Sequence, residues 1–130
     1  MWAAIEDIGS HVQWMADAEA IRFLGPQRRG VGTTFECDTR IGPLRTTDVM
    51  EITSWRTARR MGVRHTGMVT GEGAFTLRRA RGGRTKFTWE ERLRLPWWLG
   101  GPIASAAGAP VLSWVWRRNL RRLKAMVEAA

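Results

Sequence analysis

Two ionisable residues could carry acid–base chemistry, His65 and Glu91. Both lie in segments where apolar and polar residues alternate, and both fall in phase with the apolar set. Strand side chains point alternately to the two faces of a sheet, so both should face the interior. We expect one strand between them and a separation of about 10 Å, which a ligand or water could bridge.

Such a pair could act as acid and base in the enolisation or dehydration of a keto substrate. The favoured alternative is a polar pair that closes the mouth of the sheet, or a residue satisfied by arginine. Asp48 also falls in phase with the apolar residues of its strand. Because burial of an unpaired carboxylate is costly, each of these residues should have a partner or a pocket water.

The other reactive side chains point to structural roles. His11, next to Trp14, is interpreted as a surface or capping histidine. Cys37 falls on the apolar face and should behave as a small core residue. With two histidines and one cysteine in the chain, no metal site and no cofactor is predicted.

Strand-like segments separated by turn signals make up the centre of the chain, as in an antiparallel meander. They are Ala20–Leu24, Thr33–Ile41, Leu44–Trp55, Arg59–Val69, Ala74–Arg79 and Arg84–Leu95. Their alternation predicts one apolar and one polar face, so a single sheet should be covered on one side only. Before them, Trp2 to Met15 predicts two short helices with a break at Gly9-Ser10, where Ser10 caps the second.

The last third of the chain predicts a long amphipathic helix. Its apolar residues recur at steps of three and four, at Leu112, Val115, Trp116, Leu120, Leu123, Met126 and Val127. Pro110 should start or kink the regular helix. The uncharged run from Leu95 to Trp116 could also suggest a membrane span, but its prolines, glycines and serines favour a buried helix.

Composition indicates one domain, residues 1–130, with 44% hydrophobic and 25% charged residues. The net charge of +9 raises nucleic acid or an anionic membrane as partners. The basic residues are dispersed and no nucleic-acid-binding signature occurs, so a solvated basic surface is favoured and nucleic acid is disfavoured. A single cysteine and the lack of a visible signal peptide predict a cytoplasmic protein.

Several strings resemble the polyketide cyclase/dehydrase and lipid-transport family of the START-like, birch-pollen-allergen-like superfamily. They are the Trp2 to Asp7 start, His11-Val12-Gln13-Trp14-Met15, Gly30-Val31-Gly32-Thr33, Pro96-Trp97-Trp98-Leu99-Gly100-Gly101 and Arg118-Asn119-Leu120-Arg121-Arg122-Leu123-Lys124. The resemblance implies a helix-grip fold, in which a curved antiparallel sheet of about six strands wraps on the C-terminal helix. Relatives begin with a further strand that pairs with the last one, here Arg84–Leu95. Either the start of the sequence is assigned too late, or the edge is unpaired and could form a homodimer with a second copy.

The resemblance also implies a small hydrophobic ligand of lipid, polyketide or aromatic type, held between sheet and helix. The residues expected to bind it are Trp14, Phe35, Cys37, Met50, Val63, His65, Phe75, Trp89, Glu91, Trp98, Trp116 and Asn119. The tryptophans fit equally well as core and loop anchors. Two alternatives stay open. One is a cofactor-free cyclase or dehydratase using His65 and Glu91; the other is a membrane-surface protein attached through the basic helix.

Overall fold

Among the described residues, six antiparallel strands lie in one sheet, each paired with its neighbours in the chain, in the order β1-β2-β3-β4-β5-β6. The structure, a computed structural model, describes residues 1–41, 43–67, 69–94 and 101–129. The strands are β1 (Ala18–Phe23), β2 (Thr34–Ile41), β3 (Leu44–Arg56), β4 (Arg60–Thr66), β5 (Thr70–Arg79) and β6 (Thr85–Arg94). The helices are α1 (Trp2–Ile5), α2 (Gly101–Ala129) and two 3₁₀ helices, Ile8–Gln13 and Arg81–Gly83. The predicted α+β class, with its six-stranded antiparallel sheet, short N-terminal helix and C-terminal helix, is confirmed.

One face of the sheet, here called the inner face, packs against α1, the N-terminal 3₁₀ helix and α2. Ile5, Ile8 and Trp14 from the N-terminal segment are fully buried in one core cluster with residues from the strands. Leu123 joins the same cluster from α2. The alternation of the sequence therefore assigned the buried face correctly, because one side of the sheet is covered and the other is wet.

The turn between β4 and β5 lies earlier than expected. Thr66 pairs with Thr70, so β4 ends before the predicted Val69 and β5 begins before the predicted Ala74. Gly71, which falls between the predicted strands Arg59–Val69 and Ala74–Arg79, lies inside β5 opposite Leu93. A glycine suggested a turn, whereas here it serves a close approach between strands: an added Cβ at position 71 would overlap the backbone of Arg92.

A bulge in β3 moves one tryptophan to the inner face. The register against β4 shifts between Ile52 and Ser54, so the alternation of side chains changes phase there. Trp55 consequently packs against the core, with its ring centroid 5.3 Å from that of Trp2. Simple alternation from Asp48 onward could not find this position.

The N-terminal break falls at Glu6-Asp7 and not at Gly9-Ser10. Ser10 lies inside the 3₁₀ helix, and its hydroxyl donates to the carbonyl of Asp7 at 2.7 Å. The predicted capping role of Ser10 is therefore wrong: its hydroxyl bonds a carbonyl, whereas a cap would accept from a backbone N–H.

Helix α2 begins at Gly101 and continues through Pro110, earlier than the predicted start of the regular helix. Its predicted apolar stripe is confirmed over the part whose side chains are described: Val115 and Leu123 are buried, and Trp116, Leu120, Met126 and Val127 are half-buried. No helix in the described part of the chain is both long and apolar enough to cross a bilayer.

Candidate functional site

A polar cluster interrupts the apolar inner face on three strands. Asp48 comes from β3, His65 from β4 and Glu91 from β6. Asp48 is 6% exposed, His65 is 7% exposed, and the side chain of Glu91 is 8% exposed. His65 stands opposite Met50, two residues along β3 from Asp48. The sequence thus placed all three correctly on the buried face.

His65 and Glu91 touch directly, which differs from the expected gap of about two strand spacings. The distance between His65 Nε2 and Glu91 Oε2 is 3.3 Å. The strand between them is β5, and its residue opposite Glu91 is Gly73. A Cβ built on Gly73 would overlap the carboxylate of Glu91, so that side chain lies flat across β5. The absence of a side chain at position 73 closes the gap that the strand spacing predicted.

Glu91 is held from both of its oxygens. Its Oε1 accepts a hydrogen bond from Trp89 Nε1 at 3.0 Å, and its Oε2 faces the imidazole of His65. An ionised carboxylate only accepts, so His65 donates from Nε2. The other ring nitrogen, Nδ1, is buried and has no hydrogen-bond partner among the described residues. Glu91 therefore orients the ring through Nε2 alone.

Asp48 contributes a second buried atom, Oδ1, that has no partner in the part of the chain that the structure describes. Burial raises the pKa of this carboxyl, while the nearby His65 and hydrogen bonds from Val69 and Thr46 act in the opposite direction. Unpartnered buried polar atoms are rare in folded proteins, because each forfeits its hydrogen bond to water. Two of them on neighbouring strands form a polar site that a hydroxyl or carbonyl group could satisfy.

An aromatic cluster lies beside the polar one. Trp14, Phe75, Trp89 and Trp116 are four of the expected ligand-binding residues, and Phe87 adds a fifth ring. The ring centroid of Trp89 is 5.9 Å from that of Trp14, 5.3 Å from that of Phe75 and 5.6 Å from that of Trp116. Trp14 is fully buried. Trp89 touches both clusters, since its ring packs in the aromatic one and its Nε1 binds Glu91.

The remaining apolar candidates lie on β2 to β4. Phe35 and Cys37 are buried, while Met50 and Val63 are half-buried, and all four face inward as expected. Burial raises the pKa of the Cys37 thiol to about 11, so the group is neutral near pH 7. That agrees with its predicted behaviour as a core residue.

Asn119 is fully buried and bonds to the N-terminal segment. Its Oδ1 accepts from the backbone N–H of Ala16 at 2.9 Å, and its Nδ2 donates to Asp17. Both polar ends of the side chain are thus engaged within the protein. The site therefore depends on Asn119 through the position of α2. Trp98, the last of the expected ligand-binding residues, lies outside the described residues.

His11 is buried, in contrast to the predicted surface position. Its Nε2 donates to the carbonyl of Ile5 at the end of α1, at 2.7 Å, and its ring packs on Trp14 and Phe75. Burial lowers the pKa of His11. The capping part of the prediction fits this bond, because His11 satisfies a helix-end carbonyl.

The sequence reading missed Gly73. The signal was present in Gly71-Glu72-Gly73, which puts two glycines on the inner face beside two ionisable residues. Among the described residues, no three His, Cys, Asp or Glu side chains are grouped so as to hold a metal ion. An open cleft of about 260 Å³ is lined by Glu19, Asp38, Thr39, Arg45, Thr46 and Thr47. Its walls are polar and unsuited to an apolar ligand.

No protein-family model matches the chain, and no curated protein matches its sequence.

Proposed function

We propose that this chain binds a small hydrophobic molecule of lipid, polyketide or aromatic type between its sheet and α2, in a helix-grip arrangement. One observation carries the proposal: among the described residues, Asp48 Oδ1 and His65 Nδ1 are buried without hydrogen-bond partners on a largely apolar face. A ligand with an apolar body and one polar group would satisfy these atoms while its body packs against Trp89 and its neighbouring rings. The START-like resemblance of the sequence points in the same direction.

The two unpartnered atoms also determine which hydrogen bonds the polar group of the ligand must form. His65 Nδ1 accepts a hydrogen bond when Nε2 carries the proton, and an ionised Asp48 accepts as well. A protonated Asp48 donates instead, and burial favours that form by raising the pKa of its carboxyl. A hydroxyl group both donates and accepts, so it could bind both residues at once.

Native mass spectrometry of protein purified from its own host, followed by denaturing extraction, tests this proposal. We expect a co-purified hydrophobic molecule with an oxygen function at near-stoichiometric occupancy. The variants His65→Gln and Asp48→Asn should lower that occupancy. Glu72→Gln is the matched control, because Glu72 is an exposed β5 residue that pairs with Arg64 on the outer face. A folded, empty protein that also fails to bind a fluorescent apolar probe would refute carriage.

The contact between Glu91 and His65 favours a second candidate, a cofactor-free cyclase or dehydratase. A carboxylate that holds one imidazole nitrogen and leaves the other free is the arrangement of an oriented general base. His65 Nδ1 would take a proton from the carbon next to a keto group, giving an enolate. The protonated ring, stabilised by Glu91, would return that proton to a departing hydroxyl, which leaves as water.

Proton exchange separates catalysis from binding. A β-diketone such as acetylacetone, added in deuterated water, should lose its α-proton signal faster with protein than without. Glu91→Gln should slow this exchange by a factor of about 100 if Glu91 supports the base. The control is again Glu72→Gln. If the protein binds a ligand but proton exchange does not exceed the background rate, the binding function stands and the cyclase or dehydratase function is refuted.

A further inference from the structure

The exposed side of α2 forms a basic stripe, defined here as Trp114, Arg117, Arg118, Arg121, Arg122 and Lys124. These residues recur mostly at helical steps of three and four, which place them on one side of the helix. Residues Val115, Asn119 and Leu123 are buried on the opposite side. Because that side is packed against the core, the basic stripe is held facing away from the protein, except for the Arg122 side chain, which reaches back to Gln13.

Trp114 is the unusual member of the basic stripe, since its large ring is 60% exposed. The guanidinium of Arg118 lies over the ring, with Cζ 5.5 Å from the centroid. An exposed tryptophan beside arginines is amphipathic, with an apolar ring and a polar N–H. Such side chains are enriched at the level of lipid headgroups, where one end meets hydrocarbon and the other meets water.

The charge of the basic stripe is largely uncompensated. Glu128 is the one acidic residue in the sequence of α2, and it pairs with Lys124 at 3.8 Å. The guanidinium of Arg122 donates a hydrogen bond to the backbone carbonyl of Gln13, and it keeps its positive charge because the carbonyl is neutral. Within the described residues, no ion pair is formed by Arg117 or Arg121.

We propose that the basic stripe docks the protein on the surface of a bilayer that contains anionic phospholipid. The arginines would meet lipid phosphates, and Trp114 would enter the headgroup layer. This inference goes beyond the proposed ligand-binding function and does not depend on it. The chemistry fits a membrane better than nucleic acid. The stripe is one convex helix side with one exposed aromatic ring, whereas single strands are bound in grooves by several rings.

Duplex recognition is also less well matched to these residues. The commonest base-specific contacts are arginine or lysine on guanine, with asparagine or glutamine on adenine. The basic stripe has the arginines but no side chain that reads adenine, since Asn119 is turned inward to Ala16 and Asp17. A duplex and a lipid headgroup layer both supply phosphates, but the headgroup layer also has a place for the tryptophan ring.

Vesicle sedimentation tests the proposal with the full chain. We expect binding to phosphatidylcholine vesicles with about 30% phosphatidylglycerol, little binding to pure phosphatidylcholine, and release as salt rises from about 0.05 to about 0.5 M. The double variant Arg117→Ala/Arg121→Ala should bind about 25-fold more weakly, about fivefold for each basic residue removed. Trp114→Ala should lower the fraction that stays bound at the higher salt.

The matched control is Arg59→Ala/Arg60→Ala, which removes the same charge from exposed residues at the β3–β4 turn. It should bind like the wild type. Equal losses in both double variants would overturn the proposal, since binding would then follow net charge alone. So would no sedimentation of the wild type with anionic vesicles, or binding to a DNA duplex but not to vesicles. Far-UV circular dichroism and thermal melting establish that every variant is folded.

Discussion

At the residue scale, the site depends on a missing side chain. His65 and Glu91 lie on strands that do not pair with each other, and a side chain on β5 would ordinarily separate them. Gly73 lets the carboxylate cross that strand and reach the imidazole. The contact between these two ionisable residues therefore depends on a glycine, which has no side chain to separate them.

Gly73→Ala should separate the pair. The added methyl group occupies the place of the Glu91 carboxylate, so the glutamate must turn away and His65 Nε2 loses its acceptor. We expect the free energy of unfolding to fall by about 1–3 kcal/mol, as for other overpacked interior positions. Urea denaturation measures the loss, and the ¹⁵N shifts of the His65 ring report the change in hydrogen bonding.

Gly62→Ala is the control for Gly73→Ala. Its new Cβ would meet Ser54 Cβ at 3.0 Å and Thr53 Oγ1 at 3.4 Å, away from the polar cluster. These contacts should lower the free energy of unfolding, but the ¹⁵N shifts of His65 should stay unchanged. Unchanged His65 shifts in Gly73→Ala would show that Glu91 reaches the ring by another path.

His11 should make stability depend on pH. Burial lowers its pKa below the ordinary 6.5, with the hydrogen bond to Ile5 and the charge of Asp7 opposing that shift. In the unfolded chain His11 takes up a proton near pH 6.5, whereas in the folded protein it does so only at a lower pH. The free energy of unfolding should therefore fall as pH drops below about 6.5, by at most about 1.4 kcal/mol per pH unit.

Urea denaturation from about pH 8 to about pH 5 measures this slope. His11→Gln keeps a donor for the Ile5 carbonyl but does not titrate, so its curve should be flatter than that of the wild type. His65 is present in both proteins and cancels in the comparison. Equal slopes would assign the pH dependence to other groups.

At the element scale, α2 is fixed to the N-terminal segment by buried polar contacts as well as by apolar packing. Asn119 bonds Ala16 and Asp17. Four residues further along, Leu123 enters the core cluster. These contacts set the position of Trp116, which packs on Trp89 at the edge of the site.

Asn119→Ala should destabilise the protein by about 3 kcal/mol, because it leaves the N–H of Ala16 and the carboxylate of Asp17 without their partner. Thermal or urea unfolding measures the effect. Arg121→Ala on the exposed side of the same helix should change stability by no more than about 0.5 kcal/mol. A similarly small effect of Asn119→Ala would mean that water replaces the amide at no cost.

Sequence alone could predict the elements well and the contacts between them poorly. Alternation found the inner face from Phe35 to Trp89, since a strand covered on one side imposes a period of two. It failed at Trp55, where a bulge changes the phase. Helical spacing identified the buried side of α2, but the partners of Asn119 lie more than a hundred residues away and leave no local pattern.

The candidate site shows the same division. The alternation along the strands predicted that Asp48, His65 and Glu91 lie on one face, and they do so in the structure. Whether two of them touch depends on the side chain between them, so the prediction of an open gap was wrong. Glycine is usually taken as a sign of a turn, so the role of Gly73 was not predicted. That role is evident only once β5 is paired with both of its neighbours.

At the scale of the whole molecule, the sheet has two edges, β1 and β6, within the described residues. The β1 edge is short and has a bulge between Ala18 and Ala20, which discourages pairing with another chain. The β6 edge is longer, from Thr85 to Arg94. A homodimer through an unpaired edge strand therefore stays a prediction, and β6 is the edge that suits it.

Charge suggests a register for that dimer. If two β6 strands pair antiparallel about position 91, Glu90 of each copy faces Arg92 of the other. Glu90→Arg should then weaken the dimer, and light scattering after size-exclusion chromatography over a range of concentrations measures it. Glu36→Arg, a charge reversal on β2, should have no effect on the dimer. A wild type that is monomeric throughout the range would contradict the prediction.

The order of the strands has a consequence for how the chain folds. Every strand pairs with its neighbour in sequence, so the sheet can form by adding one hairpin at a time, with short loops to close. The docking of α2 on the N-terminal segment is different, since Asn119 and Ala16 are 103 residues apart. Forming that contact early would be entropically costly, so the helix should dock after the transition state. Loss of the Asn119 contacts should then accelerate unfolding and leave the refolding rate almost unchanged. A protein built in this way should open first where α2 meets the N-terminal segment.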